Sequence, residues 1–326
     1  MLTRRRLIAL SAATCAPIVG QLRAQTPKPD FPTRPVRIVV PVAAGGPTDI
    51  VARMLAEKLS RMWGQEVFIE NKGGAGTNIG NEYVARADPD GYTVLFATTS
   101  LAANANLYRS LPYDPIADFA PVSLVTQLAY FVFVSNSLPA RSLRELIDYA
   151  RSRPGKLTIA SPGTGSAPFL AEMLFLQMAD IKMTHIPYRG ASPAFTDLIP
   201  GRVDCYFGSG SLLSYARSGQ VRVLASSGAT RDAAAPDVPT IAEAGVPGYD
   251  VTAWQALFLP GRAPPGIVRK ISADTNTALA DPALSEKLTS TGYVAGGSSP
   301  QQLAEMLKSE IAKWAAVIKS TGIRIE

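Results

Sequence analysis

The sequence predicts an α/β protein of two lobes joined by a hinge of two crossing strands. Short runs of β-branched residues alternate with segments whose apolar residues recur at helical spacing, which is typical of parallel sheets covered by helices on both faces. Two apolar runs, 122–134 and 251–259, are longer than the other strands and lie where the alternation stops and restarts. A chain of 326 residues is also long enough to bury two hydrophobic cores.

The first lobe follows a proline-rich leader segment at 26–35. The predicted strands here are 36–40, 67–70 and 93–97, and the predicted helices start at Pro47 and span 79–86. In the helix from Pro47, the residues expected on one apolar face are Ile50, Val51, Met54, Leu55, Leu59 and Met62. Because strands and helices alternate, the strands are expected to be parallel.

The second lobe lies between the two long apolar runs, which we interpret as the outward and return crossings. Its predicted helices are 142–153, 167–179 and 193–199, and its predicted strands are 157–160, 183–186, 203–207 and 221–226. Three more helices, from Pro264, Pro282 and Ser299, close the chain. We therefore assign 25–128 plus 252–326 to lobe 1 and 129–251 to lobe 2. This architecture suits a cleft that closes on a ligand.

The N-terminus has the features of an export signal. Arg4, Arg5 and Arg6 precede an apolar stretch at 7–19 that is too short to span a membrane, and Ala24 is a suitable cleavage residue. We predict a signal peptide at residues 1–24, of a type that resembles twin-arginine signals, and export to the periplasm by the twin-arginine or Sec route. A lipoprotein signal ending at Cys15 fits less well, because the usual leucine is missing.

Cleavage would change both the charge and the number of thiols. It removes four of the 32 basic residues and none of the 26 acidic ones, so the net charge falls from +6 to +2 and no nucleic-acid partner is expected. Cys15 would also be lost, which leaves Cys205, in an apolar strand pattern, as a buried and unreactive thiol. One histidine and two cysteines exclude histidine-cluster and four-cysteine zinc sites. We expect neither a metal ion nor a cofactor.

Candidate ligand contacts lie in the loop between the first strand and the first helix. Ligands of α/β sheets bind at the carboxyl ends of strands, and a helix N-terminus offers unpaired N–H groups and partial positive charge. Glycine allows a ligand to approach the backbone closely. The predicted contact residues here are Val42, Ala43, Ala44, Gly45, Gly46 and Asp49. The alternative is a tight turn in which Thr48 and Asp49 only stabilise the helix dipole.

The loop 161–166 in the second lobe repeats this strand, glycine-rich turn and helix arrangement, without the lysine of a Walker A loop. Its predicted contact residues are Ser161, Gly163, Thr164, Gly165 and Ser166. Thr98, Thr99 and Ser100 follow the third strand and supply hydroxyls for a ligand oxygen, although such residues also cap turns. Two helix N-termini that face one cleft can hold an anion without arginine. A small carboxylate is the expected ligand.

The remaining motifs point to structure rather than chemistry. The glycines of 73–80 lack the spacing of a dinucleotide-binding loop and predict a turn near the cleft rim. His185 lies in a strand pattern and is expected to be structural. A hydrolase that uses Ser209 or Ser211 with His185 is the enzymatic alternative, but 208–211 resembles a nucleophile elbow only loosely. The residues favour binding without turnover.

Ordered motifs extend along the whole mature chain. They are PTRPVRIVVP at 32–41, AGGPTDIVAR at 44–53, ENKGGAG at 70–76, DPDGYT at 88–93, LPYDP at 111–115, DFAPVS at 118–123, HIPYRG at 185–190, PDVPT at 236–240 and EAG at 243–245. Together they resemble the Bug (TctC-like) substrate-binding proteins of tripartite tricarboxylate transporters.

The resemblance implies a type II-like periplasmic binding protein that closes like a flytrap on a small organic anion and delivers it to membrane transporter subunits. Typical ligands are di- or tricarboxylates, acidic amino acids and aromatic acids. The resemblance also implies that 43–46 with Asp49, 98–100 and 161–166 grip the ligand through backbone amides, hydroxyls and waters. We expect a monomer that is not an enzyme. A sensor subunit that presents its closed form to a membrane signalling protein is the alternative, because both roles use the same closure.

Three positions depart from the family pattern. Val42 stands where an aromatic residue is common, Phe169 replaces a frequent histidine, and Gly208 replaces a frequent aspartate after Phe207. We include Phe169 and Gly208 among the predicted ligand-binding residues. These changes predict a pocket that is roomier on one side and less polar on the other, which favours a partly apolar acid over citrate or a free amino acid.

Overall fold

Two mixed β-sheets organise residues 31–321, the part of the chain that this computed structural model describes. The strands are β1 (Val36–Val40), β2 (Val67–Asn71), β3 (Thr93–Thr98), β4 (Phe119–Ala129), β5 (Phe131–Ser135), β6 (Thr158–Ser161), β7 (Thr184–Pro187), β8 (Cys205–Gly208), β9 (Val221–Ser226), β10 (Thr252–Pro260) and β11 (Val294–Ala295). The helices are α1 (Pro47–Trp63), α2 (Asn78–Ala85), α3 (Ser100–Leu107), α4 (Leu143–Ser152), α5 (Ala167–Met178), α6 (Ala191–Leu198), α7 (Leu213–Arg217), α8 (Pro265–Leu279), α9 (Pro282–Ser290) and α10 (Pro300–Thr321). The predicted α/β fold class is confirmed. The signal-peptide prediction lies outside the described residues.

The first lobe is the six-stranded sheet with its helices, in the strand order β11-β4-β10-β3-β1-β2. β1 pairs in parallel with β2 and β3, as the alternation predicts. β10, however, is antiparallel to β3 and β4, and β11 is antiparallel to β4. The parallel pairing expected for the first three strands is therefore confirmed, and the antiparallel strands are those of the two predicted crossings, β4 and β10, together with β11.

The second lobe is the five-stranded sheet with its helices, in the order β7-β6-β8-β5-β9. β6 is parallel to β7 and β8, whereas β5 is antiparallel to β8 and β9. The carboxyl ends of β6 and β8 therefore lie at the same edge of this sheet. The loops that follow these two strands carry the residues considered below.

The chain changes sheet at two points. The apolar run 122–134 is two strands, because β4 belongs to the first sheet, β5 belongs to the second, and Tyr130 lies between them. The return passage reaches the first sheet at Val251, directly before β10. Both predicted crossings are present, although each strand stays within one sheet.

Ser227, which follows β9 and is fully buried, joins the two passages. The backbone N–H of Tyr130 donates to Ser227 Oγ at 2.8 Å, and the Ser227 N–H donates to the Tyr130 carbonyl at 2.7 Å. The same hydroxyl donates to the Val251 carbonyl at 2.6 Å, and the Val251 N–H donates to the Ser227 carbonyl at 2.8 Å. One residue thus ties both passages to the end of β9.

Helix packing follows the expected periodicity with one correction. The buried hydrophobic face of α1 is Val51, Ala52, Leu55, Ala56 and Leu59. Ile50 and Met62 were expected on this face but are 42% and 37% exposed, because they lie at its borders. α3, α7 and β11 were not predicted. No helix within residues 31–321 is both long enough and apolar enough to cross a membrane.

The hydroxyl of Ser227 should contribute measurably to stability. Replacing Ser227 by Ala leaves the buried Tyr130 N–H without its acceptor and removes the bond to Val251, so we expect the free energy of unfolding to fall by about 2 kcal/mol. Urea denaturation measures this change. Ser226→Ala is the matched control, because the Ser226 hydroxyl is buried one residue away with no hydrogen-bond partner. An equal loss in both variants would contradict the prediction.

Candidate ligand-binding site

The first candidate loop joins β1 to α1. Its residues Ala43, Ala44 and Gly45 are exposed, whereas Val42 and Gly46 are partly buried. Gly46 is extended, with φ −78° and ψ 167°, and no side chain caps the helix that starts at Pro47. The first turn of α1 therefore leaves N–H groups available at the carboxyl end of β1.

The buried side chain of Asp49 holds this loop in place through hydrogen bonds. Its carboxylate is 1% exposed and accepts hydrogen bonds from the Gly45 N–H at 2.9 Å, from Arg53 Nε at 2.8 Å and from Asn71 Nδ2 at 2.8 Å. Asn71 Nδ2 also donates to the Val42 carbonyl at 3.2 Å. Burial opposes ionisation, but the bonds from Arg53, Gly45 and Asn71 outweigh it and lower the pKa of Asp49 below its ordinary value. The carboxylate fixes Gly45, which has φ +77°, in position.

The hydroxyls that follow β3 have different partners. Thr99 Oγ1 accepts from the Trp254 N–H at 3.0 Å, so it anchors the start of β10. Ser100 Oγ donates to the Gly165 carbonyl at 3.1 Å. Thr99 and Ser100 are buried, and Thr98 is partly buried. The bond from Ser100 to Gly165 joins the first lobe to the second.

The second candidate loop joins β6 to α5. Ser166 caps the helix, because its hydroxyl accepts from the Phe169 N–H at 3.4 Å. Gly163 and Gly165 have φ values of +139° and +82°, which favour glycine. Thr164 at the tip is exposed, while Gly163 and Ser166 are partly buried. The loop presents its backbone at the helix N-terminus, as expected from its sequence.

Ser161 and His185 support this loop from within the second lobe. Ser161 Oγ lies 2.7 Å from His185 Nε2 and accepts from the Gly163 N–H at 3.2 Å. Burial lowers the pKa of His185, which favours the neutral ring. Ser209 and Ser211 instead bond each other at 2.7 Å. The hydrogen bond of His185 thus goes to Ser161, contrary to the hydrolase alternative.

Phe169 and Gly208, the two second-lobe residues that differ from the family pattern, are both buried. The Phe169 ring lies 4.8 Å from the His185 ring, measured between centroids. A Cβ at Gly208 would lie 2.6 Å from Leu212 Cδ1 and 2.9 Å from Tyr206 Cε1. Leu212 and Tyr206 therefore occupy the space that a side chain at position 208 would need, and both present carbon atoms to it.

The glycine-rich segment 73–78 meets the second loop from the first lobe. Ala75, Gly76 and Thr77 all have positive φ, at 46°, 59° and 85°. A Cβ at Gly76 would lie 2.6 Å from the Tyr108 hydroxyl and 3.4 Å from the Thr164 carbonyl. Backbone in this region is strained for residues other than glycine. The predicted rim turn therefore abuts the candidate loop across the two lobes.

A buried amide network, which the sequence did not predict, holds that strained turn. Asn104 Nδ2 donates to the Gly76 carbonyl at 2.7 Å and to Asn78 Oδ1 at 2.8 Å. The Tyr113 hydroxyl donates to Asn78 Oδ1 at 2.6 Å and accepts from Asn81 Nδ2 at 3.0 Å. One sequence feature could have indicated this network. Ser100 and Asn104 lie four residues apart, so in a helix both polar side chains lie on the same face.

Glu172 is an unusual buried acid in α5. Its side chain is fully buried, neither carboxylate oxygen makes a hydrogen bond of normal geometry, and the nearby backbone N–H of Phe207 offsets the cost of burial only in part. Burial raises the pKa of Glu172 well above its ordinary value, so the neutral acid is favoured. Burial likewise raises the pKa of the free Cys205 thiol, in agreement with the expected unreactive thiol. Within residues 31–321, no group of three acidic, histidine or cysteine side chains is arranged to hold a metal ion.

Comparison with known proteins assigns the family. The sequence profile described as the tripartite tricarboxylate transporter family receptor, TctC, matches residues 51–323. The chain belongs to this receptor family. The resemblance to Bug and TctC-like proteins is therefore confirmed, and so is the interpretation as a solute receptor and not an enzyme.

Individual members of the TctC family are similar over nearly the whole chain. Protein BugT of Bordetella pertussis is 34% identical over 299 residues, which cover 91% of this chain and 92% of BugT. The structure of R. palustris Rpa4515 with adipate has a TM-score of 0.86 and 37% identity, and covers 90% of this chain and 99% of that one. MatC from Rhodopseudomonas palustris with bound malate has a TM-score of 0.83 and 34% identity, covering 88% and 100%.

Asp49 should stabilise this TctC-family receptor in a pH-dependent way. Because its pKa is lowered in the folded state, its contribution is present above the unfolded value of about 3.9 and is lost as pH falls through the folded pKa. We expect Asp49→Asn to cost about 2 kcal/mol at pH 7 and less near pH 3, where the contribution of the carboxylate has begun to fall. Urea denaturation at both pH values tests this. A loss that is equal at pH 7 and pH 3 would refute the role of the carboxylate charge.

Glu172 should have the opposite effect on stability. Its raised folded pKa means that stability falls as pH rises from the unfolded value of about 4.3 towards the folded one. The wild type should therefore lose stability relative to Glu172→Gln between pH 4 and pH 8. Thermal unfolding across this range measures the difference, with the exposed Glu305→Gln as the control. A constant difference between wild type and Glu172→Gln would show that the buried acid is not neutral.

Proposed function

We propose that this receptor captures a small organic carboxylate between its two lobes and delivers it to the membrane subunits of a tripartite tricarboxylate transporter. The observation that carries the proposal is the pair of glycine-rich loops, 41–46 and 161–166, each of which precedes a helix N-terminus. The hydrogen bond from Ser100 to Gly165 holds the second loop against the first lobe. The adipate and malate bound to two relatives support this ligand class.

Backbone amides would supply most of the attraction for the anion. α1 and α5 are 17 and 12 residues long, and their N-terminal N–H groups carry partial positive charge. In this proposal the exposed or partly buried residues of the two loops contact the ligand: Val42, Ala43, Ala44, Gly45, Gly46, Gly163, Thr164 and Ser166. Asp49 and Ser161 position these loops, since their side chains already bond Gly45 and Gly163.

The remaining predicted residues would form the walls of the site. Thr98, Thr99, Ser100 and Gly165 border it where the lobes meet, and Phe169 and Gly208 border it in the second lobe. The buried Phe169 and the packing of Leu212 against Gly208 make this wall apolar. An acid with a methylene chain between its carboxylates suits such a wall better than citrate does, because burying unpaired hydroxyl and carboxyl groups costs free energy.

The same proposal includes the periplasmic location of the protein and the boundaries of its two lobes. Residues 1–24 would direct export to the periplasm through the twin-arginine or Sec route, and the mature protein would act as a monomer. Lobe 1 would comprise 25–128 plus 252–326, and lobe 2 would comprise 129–251. The change of sheet at Tyr130 and at Val251 supports these boundaries, because each passage lies within two residues of the proposed border.

Ligand-induced stabilisation tests the proposed function. Protein from which residues 1–24 have been removed is heated with adipate, malate, citrate, glutamate or benzoate, and its melting temperature is compared with that of the free protein. A ligand that binds only the folded state at 100 times its Kd adds about 2.7 kcal/mol of stability. We expect a rise with at least one acid, adipate being the strongest candidate.

The uncharged diamide of adipic acid is the matched control, because it keeps the chain length and removes both charges. It should leave the melting temperature unchanged. A flat response to every acid, at concentrations up to 10 mM or so, would overturn the proposed function, since a transport receptor must bind its solute far below that range.

A further inference from the structure

A further contact between the lobes is made by the backbones of two glycines. Gly210 follows β8 in the second lobe, and Gly292 lies between α9 and β11 in the first lobe. A Cβ built on Gly292 would lie 2.7 Å from the Gly210 Cα, 3.0 Å from its carbonyl carbon and 3.1 Å from its nitrogen. A Cβ built on Gly210 would lie 3.0 Å from the Gly292 Cα. Neither residue can gain a side chain without the two backbones moving apart.

Turn geometry explains only one of the two glycines. Gly292 has φ +81°, a conformation in which other residues are strained. Gly210 has no such φ and starts a short 3₁₀ turn, where other residues are tolerated. Glycine is therefore required at position 210 because the backbone of Gly292 lies too close for a side chain there.

The position of this contact links it to the candidate site. Gly210 follows β8 and Gly165 follows β6, and these two parallel strands are neighbours in the second sheet. Each residue meets the first lobe, Gly165 through the Ser100 hydroxyl and Gly210 through the Gly292 backbone. The two contacts thus hold the same edge of the second sheet against the first lobe.

We propose that Gly210 and Gly292 form a closure stop, a backbone contact that sets how closely the two lobes can approach. Because neither residue has a Cβ, this limit is close enough for the Ser100 hydroxyl to reach the Gly165 carbonyl. This inference rests on the proposed function, because it assigns to the two glycines the positioning of the loops around the ligand. Backbone atoms cannot rotate away as a side chain can, so the distance of closest approach is fixed by the absence of a Cβ on both residues.

The expected size of the effect follows from contact distances. Carbon atoms pack at about 3.5–4.0 Å, so a methyl group placed 2.7 Å from a backbone carbon forces a separation of roughly 1 Å. The bond from Ser100 to Gly165 is 3.1 Å long, and a hydrogen bond weakens steeply once its length passes about 3.5 Å. A methyl group on Gly292 is therefore enough to break the contact beside the second loop, whereas one on Gly210, 3.0 Å from the Gly292 Cα, moves the two backbones apart by a few tenths of an ångström and lengthens that contact.

Two alanine variants and two matched controls test the closure stop. The variants are Gly210→Ala and Gly292→Ala. Gly219→Ala is the control for Gly292, because Gly219 has φ +74° and no atom within 4 Å of its Cβ position. Gly266→Ala is the control for Gly210, because it has neither positive φ nor a close neighbour. Dissociation of adipate, or of malate if only malate binds the wild type, is measured by calorimetry and stopped flow.

Gly292→Ala should bind the acid at least tenfold more weakly and Gly210→Ala at least threefold more weakly, mainly through faster dissociation, while both controls stay within twofold of the wild type. Gly292→Ala and Gly219→Ala should lose similar thermal stability without ligand, which separates turn strain from closure. X-ray scattering should show ligand-induced compaction in the wild type and less compaction in Gly210→Ala.

Three results would overturn the proposal. If Gly210→Ala binds the acid within twofold of the wild-type affinity, the closure stop is refuted, whereas the proposed function still holds. Equal weakening in Gly219→Ala and Gly292→Ala would assign the effect to turn strain. A wild-type protein that binds none of the acids would overturn the proposed function and the closure stop with it. If Gly292→Ala fails to fold, Gly210→Ala alone decides, because its backbone carries no turn strain.

Discussion

The arrangement of the two lobes depends on the hydrogen bonds that converge on Ser227. Two segments far apart in sequence, at Tyr130 and Val251, leave one sheet for the other, and each would expose unpaired backbone groups if it crossed alone. The hydroxyl of Ser227 accepts from one segment and donates to the other, and its backbone pairs with both. The crossings are thereby held side by side. A rotation of one lobe relative to the other would take place about this pair of crossings.

The candidate site shows how negative and polar groups can prepare a site for an anion. Asp49 is itself negative, but its charge is balanced by the ion pair with Arg53. The same carboxylate accepts a hydrogen bond from the Gly45 N–H, which fixes the loop. Ser161 and His185 do the same for the second loop without adding charge. The amide network around Asn104 holds the strained turn at 75–77 against Thr164. In each case a buried side chain constrains the backbone of a loop at the candidate site.

The sequence predicted the features that depend on local periodicity and failed where distant segments meet. The strands and most helices, the glycine-rich loops and the two crossings follow from patterns within 10 or so neighbouring residues. The antiparallel pairing of β10 with β3 and β4 depends on how the chain returns from the second lobe. Ser227 looks like any serine after a strand, and its partners lie 97 and 24 residues away. Gly208 and Gly210 stand in one short motif, yet only the structure shows that Leu212 fills the space beside the first and Gly292 the space beside the second.

Recognition through the main chain has a consequence for how such receptors diversify. Only a substitution by proline deletes a backbone N–H, so the grip that the first turns of α1 and α5 would exert on a carboxylate would survive most other substitutions in the loops. Residues such as Val42 and Phe169 are free to change without removing it. Selection could then exchange one acid for another by altering the walls of the site, while the backbone groups that would bind the carboxylate come with the fold itself.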